Sequence, residues 1–179
     1  MKTKHIGLLL VTISVLLLSQ TTVAQQFKSP VRTLYEKYED NSDMNMMYMS
    51  KKMFELKFGQ KLKENYSDFN PENLINNFNE MILIGGEDDK LIPDDDMKKL
   101  KNEIRDKNYE QIVKMVDDGE SLTVYILEDK KTDRIKDLIV MALEDDEQLI
   151  LSVSGNMTMK EIITVSRLLD INILDVLDM

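Results

Sequence analysis

The sequence predicts an α+β domain whose helices pack on one face of a mainly antiparallel sheet. Three observations support this fold class. The C-terminal half holds three apolar or alternating segments joined by short polar turns, which is the pattern of an antiparallel meander. An earlier short apolar run indicates one further strand, and the other segments repeat apolar residues every three or four positions, as helices do. Helices and strands that are segregated along a chain favour an α+β fold.

Residues 1–24 have the pattern of a cleavable signal peptide. Two lysines precede an apolar run at residues 6–18, and small residues follow it, so we expect cleavage between Ala24 and Gln25. A transmembrane helix needs about 20 apolar residues, and this run is shorter. The chain has no cysteine that could carry an N-terminal lipid. We therefore expect an exported protein with no transmembrane or lipid anchor after cleavage.

The chain that follows the signal peptide is predicted to begin without regular structure. Residues 25–44 are polar and show little periodicity, so we expect a flexible lead-in to a single domain at residues 45–179. The first helix of that domain is predicted within residues 44–62, because apolar residues there have the spacing of one helix face. The residues of this stripe are Met46, Met49, Met53 and Leu56.

Two more helices and one strand are predicted before the meander. Asn70 followed by Pro71 is a helix-start signal, because an N-cap side chain precedes a proline at the first helical position. Residues 81–84 form a short apolar run that two glycines end, which indicates a buried strand. A third helix is predicted from residue 97 onward, since apolar residues keep a three- and four-residue spacing up to a stop at Gly119.

The meander and a final helix complete the predicted fold. Residues 120–128 alternate between apolar and polar side chains, and residues 133–143 and 147–155 follow as more continuously apolar segments. Short polar turns separate the three segments, so we expect three strands paired in sequence order. Thr158 and Glu161 form a capping box, which predicts that a last helix begins there.

The charge of the chain indicates which partners to expect. The chain carries 23 basic and 33 acidic residues, a net charge of −10. Two of the basic residues and none of the acidic ones lie in the predicted signal peptide, so the mature protein is expected to be still more acidic. Binding to nucleic acid or to a membrane surface depends on positive charge. We therefore expect no nucleic-acid partner and no membrane-surface partner.

Missing side chains exclude several kinds of catalytic site. The chain has no cysteine, and its only histidine, His5, belongs to the predicted signal peptide. Thiol nucleophiles, Ser-His-Asp triads and ordinary zinc sites each need one of these residues. We accordingly expect no catalytic residue and no cofactor. A carboxylate-based hydrolase remains an alternative, although the 33 acidic residues single out no particular pair.

The most distinctive local feature is a cluster of methionines between residues 44 and 53. Thioether sulfurs are soft ligands, so Met44, Met46, Met47 and Met49 are candidate ligands for Cu(I) in an exported protein. The alternative is that Met46, Met49 and Met53 form an adaptable core face or a contact surface. Because no histidine or cysteine supports the copper hypothesis, an apolar stripe is the preferred interpretation.

Three acidic runs are weaker candidates for a calcium site. They are Glu87–Asp89, Asp94–Asp96 and Glu144–Glu147. A calcium loop places its oxygen ligands at alternate positions around a central glycine, and none of these runs does so. We expect solvated turns, and the acidic residues at 94–96 favour the start of a helix because carboxylates stabilise helix N-termini.

Several segments together resemble one bacterial family. They are residues 50–56 (SKKMFEL), 81–86 (MILIGG), 109–113 (YEQIV), 116–120 (VDDGE) and 151–162 (LSVSGNMTMKEI). These segments are similar to the family called domain of unknown function 4252, and the likeness extends over about residues 45–170. The resemblance implies export to the envelope of a Gram-negative bacterium. Many genes of the family lie beside an extracytoplasmic-function sigma factor, which implies envelope signalling.

The resemblance implies no catalytic residues, because the family has no established activity. Some members carry a lipid-anchor cysteine, and this sequence departs from them. From the export signal, the missing catalytic residues and the resemblance, we expect a non-catalytic interaction or envelope-signalling module. Its partner is expected to be an envelope protein, with the module located in the periplasm, in the envelope or outside the cell. The Cu(I)-binding protein and the hydrolase remain the alternatives.

Overall fold

The computed structural model describes residues 27–65, 70–87 and 92–169. The predicted signal peptide and its cleavage position between Ala24 and Gln25 lie outside these ranges. Within the described ranges, no helix combines the length and the apolar character that crossing a membrane requires.

The described chain contains five helices and six strands. In chain order they are α1 (Pro30–Tyr38), β1 (Asn45–Ser50), α2 (Lys51–Asn65), α3 (Pro71–Asn77), β2 (Phe78–Glu87), α4 (Asp94–Asp106), β3 (Glu110–Asp117), β4 (Glu120–Asp129), β5 (Arg134–Leu143), β6 (Glu147–Met157) and α5 (Met159–Leu168).

All six strands form one open antiparallel sheet in the order β1-β2-β6-β5-β4-β3. The predicted α+β class, the meander β4-β5-β6 and the earlier strand are therefore confirmed, although β2 is longer than predicted. The start of α3 after the N-cap Asn70 and the capping box of Thr158 and Glu161 are also confirmed. Strand β6, the last of the described strands in sequence, pairs with both β2 and β5 and lies inside the sheet.

Helices cover both faces of the sheet, so the prediction of a single covered face is wrong. On β6, Leu151 and Val153 lie on one face, while Ile150 and Ser152 lie on the other. The first face packs against α2, α3 and α5, and we call it the three-helix face. The second packs against α1 and α4, and we call it the two-helix face. Strands β5 and β6 bury successive side chains and therefore need cover on both sides.

Part of the predicted flexible lead-in is a packed helix, so that prediction is wrong for α1. Ser29 caps the helix by accepting a hydrogen bond from the Val31 N–H, and Pro30 occupies the first turn. Val31 and Leu34 are buried on the two-helix face. The helix has only nine residues, and its few apolar positions are too few to show a helical spacing in the sequence. The polar composition of the segment therefore did not indicate a helix.

The single helix predicted within residues 44–62 is in fact a strand followed by a helix. Residues 45–50 pair with β2 as β1, and α2 begins at Lys51. Met46 and Met49, which we placed on one helical stripe, lie on opposite faces of β1. Apolar residues three positions apart, in a segment no longer than two helical turns, do not distinguish a helix from a strand. Pairing with β2 determines that these residues form a strand.

The third predicted helix ends earlier than expected. Helix α4 stops at Asp106, Asn108 follows with a positive φ of 59°, and β3 begins at Glu110. The positive φ values of Asp118 (41°) and Gly119 (96°) form the tight turn between β3 and β4, so Gly119 ends a strand and not a helix. A register shift between Gln111 and Val113 interrupts the alternation of inward and outward side chains along β3. The resulting spacing of apolar residues resembles that of a helix in the sequence.

Candidate functional site

A buried carboxyl group lies at the centre of a polar network on the two-helix face. Asp137 on β5 is fully buried. Its Oδ2 accepts hydrogen bonds from Ser29 Oγ and Tyr109 Oη, both at 2.6 Å, and its Oδ1 lies 2.8 Å from Ser152 Oγ, within hydrogen-bond distance. The network thus connects the cap of α1, the residue before β3 and the central strand β6 to β5.

The network also contains a fourth contact, of 3.0 Å, between Ser152 Oγ and Ser29 Oγ. Three hydroxyl groups supply only three protons for the four contacts. A proton on Oδ1 of Asp137 supplies the fourth donor. Asp137 then donates to Ser152, Ser152 donates to Ser29, and Ser29 donates to Oδ2. The geometry therefore favours the neutral form of the carboxyl group.

Burial acts in the same direction as this geometry. It raises the pKa of Asp137 to about 7, against the opposing effect of the hydrogen bonds that link the carboxyl group to Ser29, Tyr109 and Ser152. Because Ser29, Tyr109 and the sheet enclose the carboxyl group, it has no surface on which a substrate could lie. Asp137 consequently holds elements together and is not placed to act on a bound molecule.

A polar cleft of about 420 Å³ lies beside this network, where α1 crosses β2 and β6. Arg32 donates to Glu80 at 2.7 Å and to Glu36 at 3.1 Å, and its guanidinium carbon lies 4.6 Å from the ring centroid of Tyr48. Lys28 also pairs with Glu36, at 2.6 Å. Both carboxylates that line the cleft already accept hydrogen bonds from cations, so they are not free to act as an acid–base pair.

The far end of α1 is held in a similar way. Lys37 and Tyr38 both donate to the buried carboxylate of Asp96 on α4, and Lys99 donates to its other oxygen. The hydrogen bond from Lys37 is the main cause that lowers the pKa of Asp96 to about 2. Polar contacts at both ends of α1 therefore hold it on the two-helix face.

The structure does not bring the four candidate copper ligands together. Met44 is buried on the two-helix face, where Met46 also packs. Met49 is buried on the three-helix face, and Met47, two residues before it on β1, is partly exposed on that side. The sheet thus separates the sulfur atoms into two pairs, and the cluster contributes to two different apolar cores.

The acidic runs lie at separate places with different roles. Asp94–Asp96 forms the first turn of α4, and Asp88 and Asp89 lie outside the described residues. Glu144–Asp146 forms the β5–β6 turn and Glu147 begins β6; the turn lies beside the β3–β4 turn, where Gly119 faces Asp145. The repulsion of Glu120 is the main cause that raises the pKa of Glu144. Across the described parts of the chain, no group of His, Cys, Asp and Glu side chains is arranged to hold a metal ion.

A second groove, of about 350 Å³, follows the edge of the sheet on the two-helix face. Lys101 of α4 forms one wall, and Lys114 projects from β3. The floor carries the polar side chains of Gln111, Ser121, Thr123 and Tyr125. Among the described residues, no carboxylate lines this groove. We call it the edge groove.

The polar groups of the edge groove are available to a ligand. Within the described residues, neither Lys101 nor Lys114 forms an ion pair, and the side chains of the floor form no hydrogen bonds. Burial alone raises the pKa of Tyr125, so its hydroxyl group stays protonated and can donate. The edge groove therefore contrasts with the cleft at α1, whose charges are satisfied within the protein.

Comparison with family models identifies the relatives of the chain. The model described as "Domain of unknown function (DUF4252)" matches residues 38–165, well over half of the 179-residue chain. The chain belongs to this family. The resemblance that the sequence motifs indicated is thereby confirmed. Searches of the curated proteins and of the solved structures gave no match.

Sequence reasoning missed the Asp137 network and the edge groove. One signal for the network was present, because Asp137 directly precedes a continuously apolar segment and Ser152 interrupts another. A polar residue at a buried strand position needs a partner, and these two partner each other. The edge groove had no comparable signal, since Lys101 and Lys114 become neighbours only through the packing of α4 beside β3.

Proposed function

We propose that this protein is a non-catalytic interaction module of the Gram-negative cell envelope. The signal-peptide pattern supports export, and membership of a family without established activity is compatible with a binding role. The absence of histidine after residue 5 and of cysteine throughout removes the residues on which most catalytic mechanisms depend. The module acts by contact with another envelope protein.

One observation supports this proposal above the others. The polar groups around Asp137 and Arg32 are paired internally, whereas the polar groups of the edge groove have no partner within the described residues. Groups that hold a fold together are satisfied by the fold, and exposed groups beside an open strand edge are free to pair with another molecule. The edge groove is therefore the contact surface that we propose.

Site-specific crosslinking in intact cells tests this proposal. A photo-reactive amino acid replaces Val116 of β3, whose side chain is 67% exposed. The matched control replaces Leu56 of α2, an apolar residue that is 70% exposed on the other side of the sheet. We expect one reproducible protein adduct from position 116 and none from position 56. No adduct at position 116, or the same adduct from both positions, would contradict the proposal.

Cell fractionation tests the envelope location separately. A tagged full-length chain is expected in the periplasmic or membrane fraction, in a form shortened by residues 1–24. A variant that lacks residues 2–24 is expected to remain in the cytoplasm. Full-length protein that stays in the cytoplasm without being shortened would refute export, whatever the crosslinking result.

A further inference from the structure

We propose that β3 binds an extended, acidic segment of a partner protein, which joins the sheet as an added strand along the edge groove. The inference rests on the proposed interaction function and specifies the chemistry of the partner. Strand addition combines hydrogen bonds between backbones with pockets that read alternate side chains. Each of these components corresponds to a feature of β3.

Among the described residues, no strand pairs with the outer edge of β3. β3 is the last strand of the sheet, and within the described residues it pairs only with β4. An unpaired strand edge presents N–H and C=O groups that another strand can satisfy. The register shift between Gln111 and Val113 disturbs the first part of the strand. We therefore place the added strand along residues 113–117.

The side chains of β3 differ between the two faces of the sheet. Lys114 and Val116 lie on the two-helix face, where they line the edge groove. Val113 packs half-buried on the three-helix face, and Met115 pairs with Leu122 on that side. A neighbouring strand places its own side chains beside these. The matching segment alternates between acidic residues on the groove side and apolar residues on the other side.

The charge of the edge groove selects an acidic segment. Lys101 and Lys114 line it, and none of the described carboxylates does, because Asp117, Glu120 and Glu144 line a separate pocket at the β3–β4 turn. Lys98 and Arg105 are exposed and lie three and four positions from Lys101, so helical spacing places them along the same side of α4. Complementary charge across an interface selects the partner and its register.

A second copy of this chain fits the edge less well than an acidic partner. β3 contributes Gln111, Lys114 and Val116 to the two-helix face, and none of them is acidic. Two copies that paired through β3 would place no carboxylate of that strand opposite Lys114. Pairing through β3 therefore brings no acidic side chain of that strand to Lys114.

Peptide binding to the purified protein tests the proposal. The probe is a fluorescent peptide of alternating aspartate and valine, and the control peptide has the same composition with the aspartates in one block. We expect the alternating peptide to bind more tightly. In an extended strand all of its acidic residues lie on one side, whereas those of the control peptide lie on both sides. The variant K101E/K114E is expected to bind it at least about tenfold more weakly, since two charge pairs are reversed.

The variant K63E/K160E controls for net charge, because it makes the same charge change at two exposed lysines outside the groove. Its affinity for the alternating peptide is expected to be within about twofold of the wild type, since distant surface charges are screened by salt. Equal weakening in both double variants would overturn the proposal. Absence of binding to the wild-type protein at low salt would also overturn it.

Amide hydrogen exchange locates the bound peptide. We expect slower exchange within residues 113–117 of β3 and no change in β1, the opposite edge strand. Protection of β1 alone would overturn the proposal, and so would protection of β3 that depends on protein concentration without peptide, which would assign the edge to a second copy. If peptide binding fails while crosslinking from position 116 succeeds, the interaction function stands and only the acidic-strand partner is wrong.

Discussion

Among single residues, Asp137 controls how stability responds to pH. Its pKa is about 7 in the folded protein, against 3.8 for an ordinary aspartate. Between these values the folded state holds a proton that the unfolded state has released, so stability falls as pH rises. Relative to Asp137→Asn, the wild-type protein is expected to lose about 1.4 kcal/mol of unfolding free energy per pH unit near pH 5 and about half of that per unit at pH 7. Urea unfolding of both proteins across this range measures the difference.

Asp96 serves as the control for Asp137, because it is also a buried carboxyl group but its pKa is shifted in the opposite direction. Its pKa is lowered to about 2, chiefly by Lys37, so its contribution to stability is complete above an ordinary aspartate pKa and is lost only in acid. Asp96→Asn is therefore expected to lower stability by a constant amount between pH 5 and 8. If the wild-type protein and Asp137→Asn gave parallel pH curves, the carboxyl group of Asp137 would not be neutral in the folded state.

At the level of elements, the junction between α3 and β6 has no room for a side chain. A Cβ atom on Gly155 would collide with the backbone carbonyl oxygen of Asn77, the last residue of α3. Because that atom is backbone, only a shift of the helix or the strand would relieve the collision. Gly155→Ala is expected to lower the free energy of unfolding by about 1–3 kcal/mol, the usual effect of overpacking. Denaturant unfolding checks this value.

Gly85 on β2 is the control for this substitution. A Cβ atom there would lie 3.6 Å from the Asn45 carbonyl oxygen and 3.7 Å from that of Gln148, which are ordinary contact distances. Gly85→Ala is expected to leave stability within about 0.5 kcal/mol of the wild type or to raise it, because alanine has less freedom to lose in a strand. A comparable loss in both variants would mean that the collision at Gly155 is not the cause.

Elements with a distinct chemical signal could be predicted from the sequence, and elements with only an apolar spacing could not. Asn70 with Pro71 and the capping box of Thr158 marked their helices, because these side chains satisfy N–H groups that exist only at a helix start. Met46 and Met49 suggested a helix, yet they lie on opposite faces of a strand. Spacing alone fails there because strand pairing depends on β2, a distant part of the chain.

For the whole molecule, the distribution of charge is uneven. The β3–β4 and β5–β6 turns lie together at one end of the sheet, and within the described residues none of their acidic side chains forms an ion pair. Glu144→Gln removes one repulsive charge, so it is expected to raise the melting temperature at low salt and to have less effect at high salt.

Glu128→Gln is the control, because Glu128 is exposed on the same sheet near the opposite end of β4. It is expected to give no increase in melting temperature. Calorimetry of both variants at two salt concentrations makes the comparison. If Glu128→Gln raised the melting temperature as much as Glu144→Gln, the cause would be the lower net charge of the protein. Repulsion between the two adjacent turns would then not be the cause.

The candidate site could not be predicted from the sequence, because its residues come together only through the topology of the sheet. The class of the fold followed from local patterns, but the neighbours of β3 and the covering of both faces did not. Lys101 and Lys114 lie on different elements, and Ser29 reaches Asp137 across more than a hundred positions of sequence. No local pattern encodes such pairs, since they arise only when the whole sheet has assembled.

The central place of β6 has a consequence for synthesis. A chain that emerges from the ribosome with its N-terminus first releases β1 and β2 early, yet β2 must wait for residues 147–157 before its second edge is covered. Until then the chain consists of a β1–β2 part and a β3–β5 part, with no strand to join them. Nascent chains that stop before residue 147 should be digested rapidly by protease, and those that expose residue 169 should resist it. Folding of this protein is thus delayed until nearly all of it has been made.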